Sequence, residues 1–549
     1  MVGGILNLVA VGNQNIILHG NPQKTYWSST YKRITNFGIQ NFRLDYEGLR
    51  QIGVTTETTY QFKVKRYAEL LMDTYFVINI PDIYSPIYPD IANETWVPYE
   101  FKWIKNLGAM MIKTIRFTIG GNLIQQLSGT DIVALANRDL SATQKKKWDE
   151  MIGNTVDMYE PAIAFGRPNL YPNANYVGTP NEPSIRGKQL RIPLPIWWGL
   201  TTQQAFPLVA LQYNVLQIDV TLRPLRELYQ IKDVMDPTNN YPVVAPNMTI
   251  SQHQFYRFLQ SPPAININVV PYQSTTTSWN ENTHLSCQYC FLSEDESKLF
   301  AINPQKYLVK EYHQSVFKNV SVSDKVWLQN SSGLVLNWMF LFQRSDVSER
   351  NEWSNFTNWK YDYLPSNVTL LSGEDPYNIF DVGYGKNLNT AATLTYYYGT
   401  NEYHVENQKN ILLNLGITFD GTVREENRTG NIYLQDQQYL MSQGYGSSNL
   451  HGLYCYNFCL HTSPFQLQPS GAINLSKYSK VEFEFTTITP PLDKDSTFLV
   501  ICDIDQNQQI GVNKSMYKLY QYTFDLYVVE ERYNVITFLA GNASMMNAR

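Results

Sequence analysis

LRIPLPIWWGLTTQQAFPLVALQYNVLQIDVTL, residues 190–222, decides how the chain is read. It runs as a strand, a bulky proline-marked corner, a compact apolar connector and a second strand. The same order returns about 264 residues later at 453–486, LYCYNFCLHTSPFQLQPSGAINLSKYSKVEFEFT, with almost no identity. In the closing strand of each copy apolar and polar residues alternate. Leu216, Ile218, Val220 and Leu222 oppose Gln217, Asp219 and Thr221; Val481, Phe483 and Phe485 oppose Glu482, Glu484 and Thr486. That period of two belongs to a half-buried strand. An echo at so long a spacing points to two similar domains, not to a solenoid.

Length agrees. At 549 residues the chain exceeds the roughly 250 to 300 at which single cores stop growing. Aromatics reach 14%, with 39 Tyr, while charged residues are only 17%. With abundant Asn, Thr, Ser, Pro and Gly between short apolar runs, this is the profile of a loop-rich all-β protein.

Strand candidates follow at sandwich spacing: 41–46, 60–66, 74–80 and 112–119, then, after the opening stretch, 305–312, 334–342, 411–419, 453–460, 480–487, 496–502, 522–529 and 533–539. Ser141 and Gln144 form a capping box for a helix that runs through Trp148 to about Ile152 and stops at Gly153. Ser293 and Glu296 announce a second, over Leu299 and Phe300. The apolar phase slips between Val215 and Leu216, which predicts a bulge or bend there. The Pro-rich interval 226–280 reads as a connector, and the second half begins with THLSCQYCFLS near His284. Residues 161–185 and 343–450 read as long, exposed excursions.

Residues 1–26 lack a sustained period and read as an arm. Their apolar side chains, Ile5, Leu8 and Ile16 among them, would be costly in water, at roughly 25 cal/mol per Å², so the arm is expected to dock on a neighbour or an inner surface. The first residues have no basic run and read as a poor secretory signal. No apolar run reaches the roughly 18 residues of a membrane-spanning helix.

Chemistry is sparse. The net charge of −5 gives no general attraction to nucleic acid. Lys145, Lys146 and Lys147 read as a solvated helix face. Cys287 and Cys290 match CxxC, but on an extended run that spacing sends them to opposite faces, and Cys455 and Cys459 have no nearby pair to complete a zinc set. All four read as core thiols. Sequons such as those at Asn355, Asn367 and Asn427 are discounted as glycan sites. Asp503, Asp505 and Asn507 imitate an EF-hand start that fails at Gln508 and Lys514. His313, His404 and His461 have no partner that spacing singles out. HExxH, GxSxG, P-loop and GxGxxG signatures are absent. No catalytic, cofactor-binding or metal-ligating residue is therefore assigned. The enzyme reading that survives is a β-sandwich carbohydrate-active or carbohydrate-binding protein, whose carboxylates would come from distant strands.

Residues 9–42 carry a resemblance. Gly20, Asn21, Pro22, Thr25 and Trp27, then Tyr31, Lys32, Arg33, Thr35, Asn36 and Phe37, follow the GNP-x-x-T-x-[FW] and Tyr-[Lys/Arg]-Arg-x-Thr-Asn-Phe runs of the major capsid proteins of nucleocytoplasmic large DNA viruses. RIPLPIWWGL with PLVALQYNVLQIDV resembles that family's segment closing its first jelly roll. QFYRFLQSPP, residues 254–263, resembles the linker of its larger algal and amoebal members. Gln468, Pro469, Ser470, Gly471, Asn474 and Ser476 resemble its QPSG-x-x-N-x-S run, and RYNVITFLAGNASM resembles its C-terminal strand and tail. SEDESKLFA departs from the family pattern, with Lys298 and no Arg in its helix.

The resemblance implies two consecutive eight-stranded antiparallel jelly rolls with short helices and long surface loops. Its domains would be an inward arm at 1–26, a first roll at 27–225, a connector at 226–280 and a second roll at 281–549, with outward loops within 343–450. The function implied is structural and non-enzymatic. A homotrimer would form a pseudo-hexagonal capsomer that tiles an icosahedral virion shell. Neighbouring capsomers and minor capsid and penton proteins would be its partners, with a membrane beneath, no direct nucleic-acid contact, and assembly in the host cytoplasm or viral factory. Trp197 and Trp198 would then pack a domain or trimer seam.

Overall fold

The computed structural model describes residues 35–90, 95–161, 183–236, 242–263, 271–329, 331–361, 386–390, 393–397, 408–436, 439, 451–491, 499–502, 509–513 and 520–546. The chain divides into two compact units, Met1–Gly38 and Ile39–Arg549, and the strands below belong to the second, β1 beginning two residues before it. The arm 1–26 and the motif residues up to Arg33 lie outside the described residues.

Alternating residues pair into two sets of eight principal strands. The first set is β1 (Phe37–Leu44), β2 (Thr58–Lys63), β3 (Leu70–Ile80), β4 (Ile112–Ile119), β5 (Asn122–Leu127), β6 (Lys188–Pro193), β7 (Leu216–Leu222) and β8 (His284–Leu292). The second is β9 (Gln305–Val320), β10 (Ser323–Trp327), β11 (Leu334–Arg344), β12 (Leu412–Phe419), β13 (Thr422–Thr429), β14 (Leu453–Asn457), β15 (Val481–Thr487) and β16 (Phe524–Leu539).

Spatial order is the same in both sets. One sheet runs β1-β8-β3-β6 and its counterpart β9-β16-β11-β14; the other runs β2-β7-β4-β5 and its counterpart β10-β15-β12-β13. Each set is a jelly roll, two antiparallel sheets folded together. Residues 190–222 and 453–486 hold equivalent strands, β6 with β7 and β14 with β15, so the echo is structural.

This order corrects the expected domain limits. His284–Leu292 does not open the second roll. It pairs with β3, His284 opposite Val77 and Cys290 opposite Leu70, and buries Leu285, Cys287 and Tyr289 in the first core. The supposed connector 226–280 is thus an insertion between the last two strands of the first roll. β7 and β15 are next-to-last strands; β8 and β16 close the rolls. What joins the rolls is helix α3 (Glu294–Ile302).

Strand ends differ for physical reasons. The runs 522–529 and 533–539 are one strand, β16, because the intervening Glu530 and Glu531 are buried and partnered. Val215 is 47% exposed and Leu216 1%, yet the expected bulge there is simply the start of β7; the register shift lies at the other end, between Thr221 and Leu222.

Helix α1 (Gly129–Asp139) is absent from the sequence reading, although Ser128 and Asp131 cap it reciprocally. Helix α2 (Ala142–Ile152) has the expected capping box, Ser141 with Gln144, and ends at Gly153 with φ 76°. On α2 Lys146 and Lys147 are exposed, but Lys145 is buried, 2.5 Å from Asp149 and over the Trp148 ring; it is no solvated face. The Ser293 hydroxyl meets the Glu296 carboxylate but makes no cap to the α3 backbone.

The run LVLNWMFLF of β11 is nearly continuous in apolar residues because both faces are covered. Trp338, Phe340 and Phe342 face the second core, while Met339 and Leu341 join the cluster that fills the first roll.

Candidate functional site: the seam between the rolls

Loop lengths orient the molecule. In an antiparallel roll, successive connections fall at alternate ends. In the first roll 45–57, 81–111, 128–187 and 223–283 leave one end, together the longer set, and 64–69, 120–121 and 194–215 the other. In the second, 345–411, 430–452 and 488–523 again share an end, opposite 328–333, 420–421 and 458–480.

Hydrogen bonds show that the two rolls stand the same way up. At the long-loop end, Asn351 Nδ2 donates to the carbonyls of Arg226 and Tyr229, and Trp353 Nε1 to that of Glu227. Arg223 lies 4.3 Å over the Trp353 ring. At the short-loop end the Gln212 and Tyr213 amides donate to the Gly541 carbonyl.

Between these ends the seam is packed and charged. Trp197 and Trp198 sit edge to face, with ring centroids 5.3 Å apart. Trp198 donates to the Thr74 hydroxyl, and Trp197 packs at 5.4 Å on Tyr307 of β9. Trp197 thus fills the seam between rolls, with Trp198 behind it against Phe117 and Phe206 of the first.

Helix α1 is the wedge. Its apolar face, including Ile132, Val133 and Leu135, joins the first core, and its last turn delivers Arg138, fully buried, to the second roll. Arg138 Nη1 lies 2.9 Å from Glu531 Oε2 on β16 and 2.9 Å from Asn337 Oδ1 on β11; Nε and Nη2 are held by Asp139 at 2.9 and 2.7 Å. Lys310 approaches Glu531 at 3.6 Å, and Thr462 donates to Asp139. Burial acts to raise the Glu531 carboxyl, but Arg138 and Lys310 together outweigh it and hold it below the usual glutamate range. For Asp139 burial prevails over Arg138, and its carboxyl stays raised.

At the other end of α1, burial pushes Asp131 up to about 6 against the bonds from Ser128. Its Oδ1 accepts from Gln314 of β9 at 3.1 Å. Two further carboxylates are spoken for within the second roll: Glu530 accepts from Trp338 and Ser331, and Glu311 from Asn534. Such an arrangement fixes two rolls in one register; it does not present a charged group to a substrate.

The residues singled out from sequence scatter. Cys287 faces the first core and Cys290 a small cluster on the opposite face, and burial raises the thiols of Cys287 and Cys455 to about 12. His313 lies 3.3 Å from Glu311, and the exposed His461 donates its backbone amide to Ser470. Asn355 is 1% exposed and accepts from Thr357, closed to a glycan, whereas Asn427 is exposed on β13. His404, Asn367, Asp503, Asp505, Asn507, Gln508 and Lys514 lie outside the described residues. Sequence reasoning missed Arg138, Asp139 and Glu531 because a charge on a helix end or strand is ordinarily solvated.

Comparison with known proteins follows the same lines. The family described as "Major capsid protein N-terminus" matches residues 25–260. The chain is 24% identical over 522 residues to the major capsid protein of Phaeocystis pouchetii virus, covering 87% of this chain and 91% of that one. It is 23% identical to that of Paramecium bursaria Chlorella virus 1, covering 91% of each. Among solved structures, PBCV-1 VP54 superposes with a TM-score of 0.59 at 16% identity, over 96% of this chain and 100% of that one. The Faustovirus major capsid protein gives 0.57 at 11% identity, over 94% and 93%.

Proposed function

We propose that the chain is a major capsid protein, as the proteins it is similar to are named, and that three copies close into a pseudo-hexagonal capsomer. The observation that carries this reading is the repeated strand order in two rolls of one orientation. Three such chains around a threefold axis present six similar rolls, and closed symmetry of this kind is the common state of homo-oligomers. The seam holds each pair of rolls as one rigid unit.

The protein is a structural component of the virion shell, self-assembling and without catalytic duty. In the capsomer the long-loop end, with parts of 161–185 and 343–450, faces outward; the short-loop end and the arm 1–26 face inward. The short-loop end bears exposed apolar side chains, among them Tyr213 at 75%, Ile302 at 78% and Leu460 at 64%. They suit contact with minor capsid and penton proteins over a membrane. Net charge of −5 suits a shell that does not touch nucleic acid. Assembly follows synthesis in the host cytoplasm or viral factory.

Light scattering on the size-excluded protein tests the proposal. The expected mass is three times the 63.4 kDa of the chain, and a clean monomer would overturn it, favouring the carbohydrate-binding sandwich instead. Deleting residues 1–26 should leave the trimer intact and impair shell assembly.

A further inference from the structure

The wedge that joins the rolls has a counterpart in the second roll, and its tip is bare. Helix α1 follows β5 from Gly129; the connection after β13 turns helical at Gly430. The two glycines are equivalent in their packing. A Cβ would stand 2.7 Å from the Ile112 carbonyl at Gly129 and 2.5 Å from the Leu412 carbonyl at Gly430, and Ile112 and Leu412 open the equivalent strands β4 and β12. Beyond Gly430 the described residues 431–436 and 439 are helical. Tyr433 and Leu434 are buried in the second core, as Ile132 and Val133 are in the first. Tyr439 stands as far along from Gly430 as Arg138 from Gly129. Arg138 is wholly buried, whereas Tyr439 is 88% exposed.

The surface that receives the wedge is doubled too. Strands β3 and β11 hold the same place in their sheets and are both 11 residues long. Asn337, Met339 and Gln343 of β11 therefore answer to Asp73, Tyr75 and Asn79 of β3, all turned away from the core of their own roll. On β11 the first roll covers that face: Asn337 and Met339 are fully buried and Gln343 is 5% exposed. On β3 the three counterparts are half-exposed. Asn337 accepts from Arg138, but Asp73 makes no hydrogen bond or ion pair among the described residues, and burial raises its carboxyl with nothing to offset it.

The geometry points to a contact between copies that repeats the seam within one: Tyr439 of one copy seats on the first sheet of the next, its ring against Tyr75 and its hydroxyl donating to the Asp73 carboxylate. This contact rests on the trimer proposed above. Where two rolls alternate around a ring, the face that the first roll covers on the second is covered, on the first, by the second roll of the next copy. A single exposed tyrosine calls for no explanation; its place as the counterpart of Arg138 gives it one. Tyrosine suits an anchor because it brings a large ring, few rotatable bonds and a hydroxyl for a polar partner. As a neutral donor it meets a carboxylate without burying a second charge.

Light scattering over a dilution series of the full-length protein tests the contact. Tyr439→Ala, a surface change that leaves the fold of the single chain intact, should raise the concentration at which trimer gives way to monomer at least about tenfold. Tyr439→Phe should fall between the two. Asp73→Lys should weaken the trimer likewise and be rescued by Tyr439→Glu, whose carboxylate supplies a partner for the introduced ammonium. If the wild type stays trimeric at every dilution, the series is run in graded urea below the unfolding transition. A trimeric wild type whose Tyr439→Ala variant dissociates at the same concentration overturns this contact and leaves the trimer standing. A monomeric wild type overturns the trimer and the contact with it.

Discussion

Arg138 of the first roll and Glu531 of the second form an ion pair across the seam in which neither side chain is exposed, Nη1 standing 2.9 Å from Oε2. A pair so buried is weak evidence of net stabilisation, because desolvating two charges offsets their attraction. Breaking it is another matter, since the survivor is left uncompensated.

Arg138→Met is therefore expected to cost about 3–5 kcal/mol. Adding Glu531→Leu should recover part of that loss, so that the double variant is less damaged than the sum of the singles. Denaturant unfolding of the four proteins measures it, and strict additivity would show that the two side chains do not act as a unit.

Trp197→Ala should cost about 3–5 kcal/mol, the range for emptying a core aromatic site. The ring is 3% exposed and leans on Tyr307 and Phe206. Trp327 on β10 is 46% exposed, and its replacement by Ala should cost no more than about 1 kcal/mol. Equal losses at the two positions would mean that Trp197 is not a packing residue of the seam.

Asp131 predicts a pH signature. Its carboxyl is raised from 3.8 to about 6, so the folded protein holds a proton there that the unfolded chain releases. The stability this supplies is present below about pH 4 and is lost as pH rises to about 6, a change on the order of 3 kcal/mol. Asp131→Asn removes the titration. Wild-type stability minus that of the variant should therefore fall by this order between pH 4 and 7 in parallel melts, and a difference that does not vary with pH would contradict the assignment.

Gly153 ends α2 in the left-handed region, φ 76°, and a Cβ there would stand 2.8 Å from Cδ2 of Leu190. Gly153→Ala should destabilise by about 1–2 kcal/mol from backbone strain, with displacement of Leu190 in addition. An unchanged melting temperature would show that the turn relaxes freely.

How legible the molecule was depended on how local each signal is. The helix Ala142–Ile152 could be read because its cap, its apolar spacing and its terminal Gly153 lie within one short window. The neighbouring helix Gly129–Asp139 carried an equally local signal, Ser128 with Asp131, but with Asp where the usual capping box has Glu or Gln. His284–Leu292 was legible as an extended run. Its partner was not, because β3 is some two hundred residues away and many alternating strands would satisfy the same pattern.

The seam was invisible for a related reason. Arg138, Asp139 and Glu531 read individually as surface charges, and only the approach of two rolls removes water from all three at once. Likewise, nothing in the composition of 226–280 distinguishes a linker between domains from an insertion within one; the difference is which strand pairs with β3 afterwards.

Composition and the period of two by themselves determined an all-β chain, length and echo made it two domains, and the motifs at 20–37 and 468–476 carried its resemblance to the major capsid proteins. Those properties depend on side-chain type and near spacing. The strand order of each roll, the true limits of the first, the common orientation of the two and the buried ion pair between them were decided only in the tertiary structure, because each depends on contacts between residues far apart in the chain.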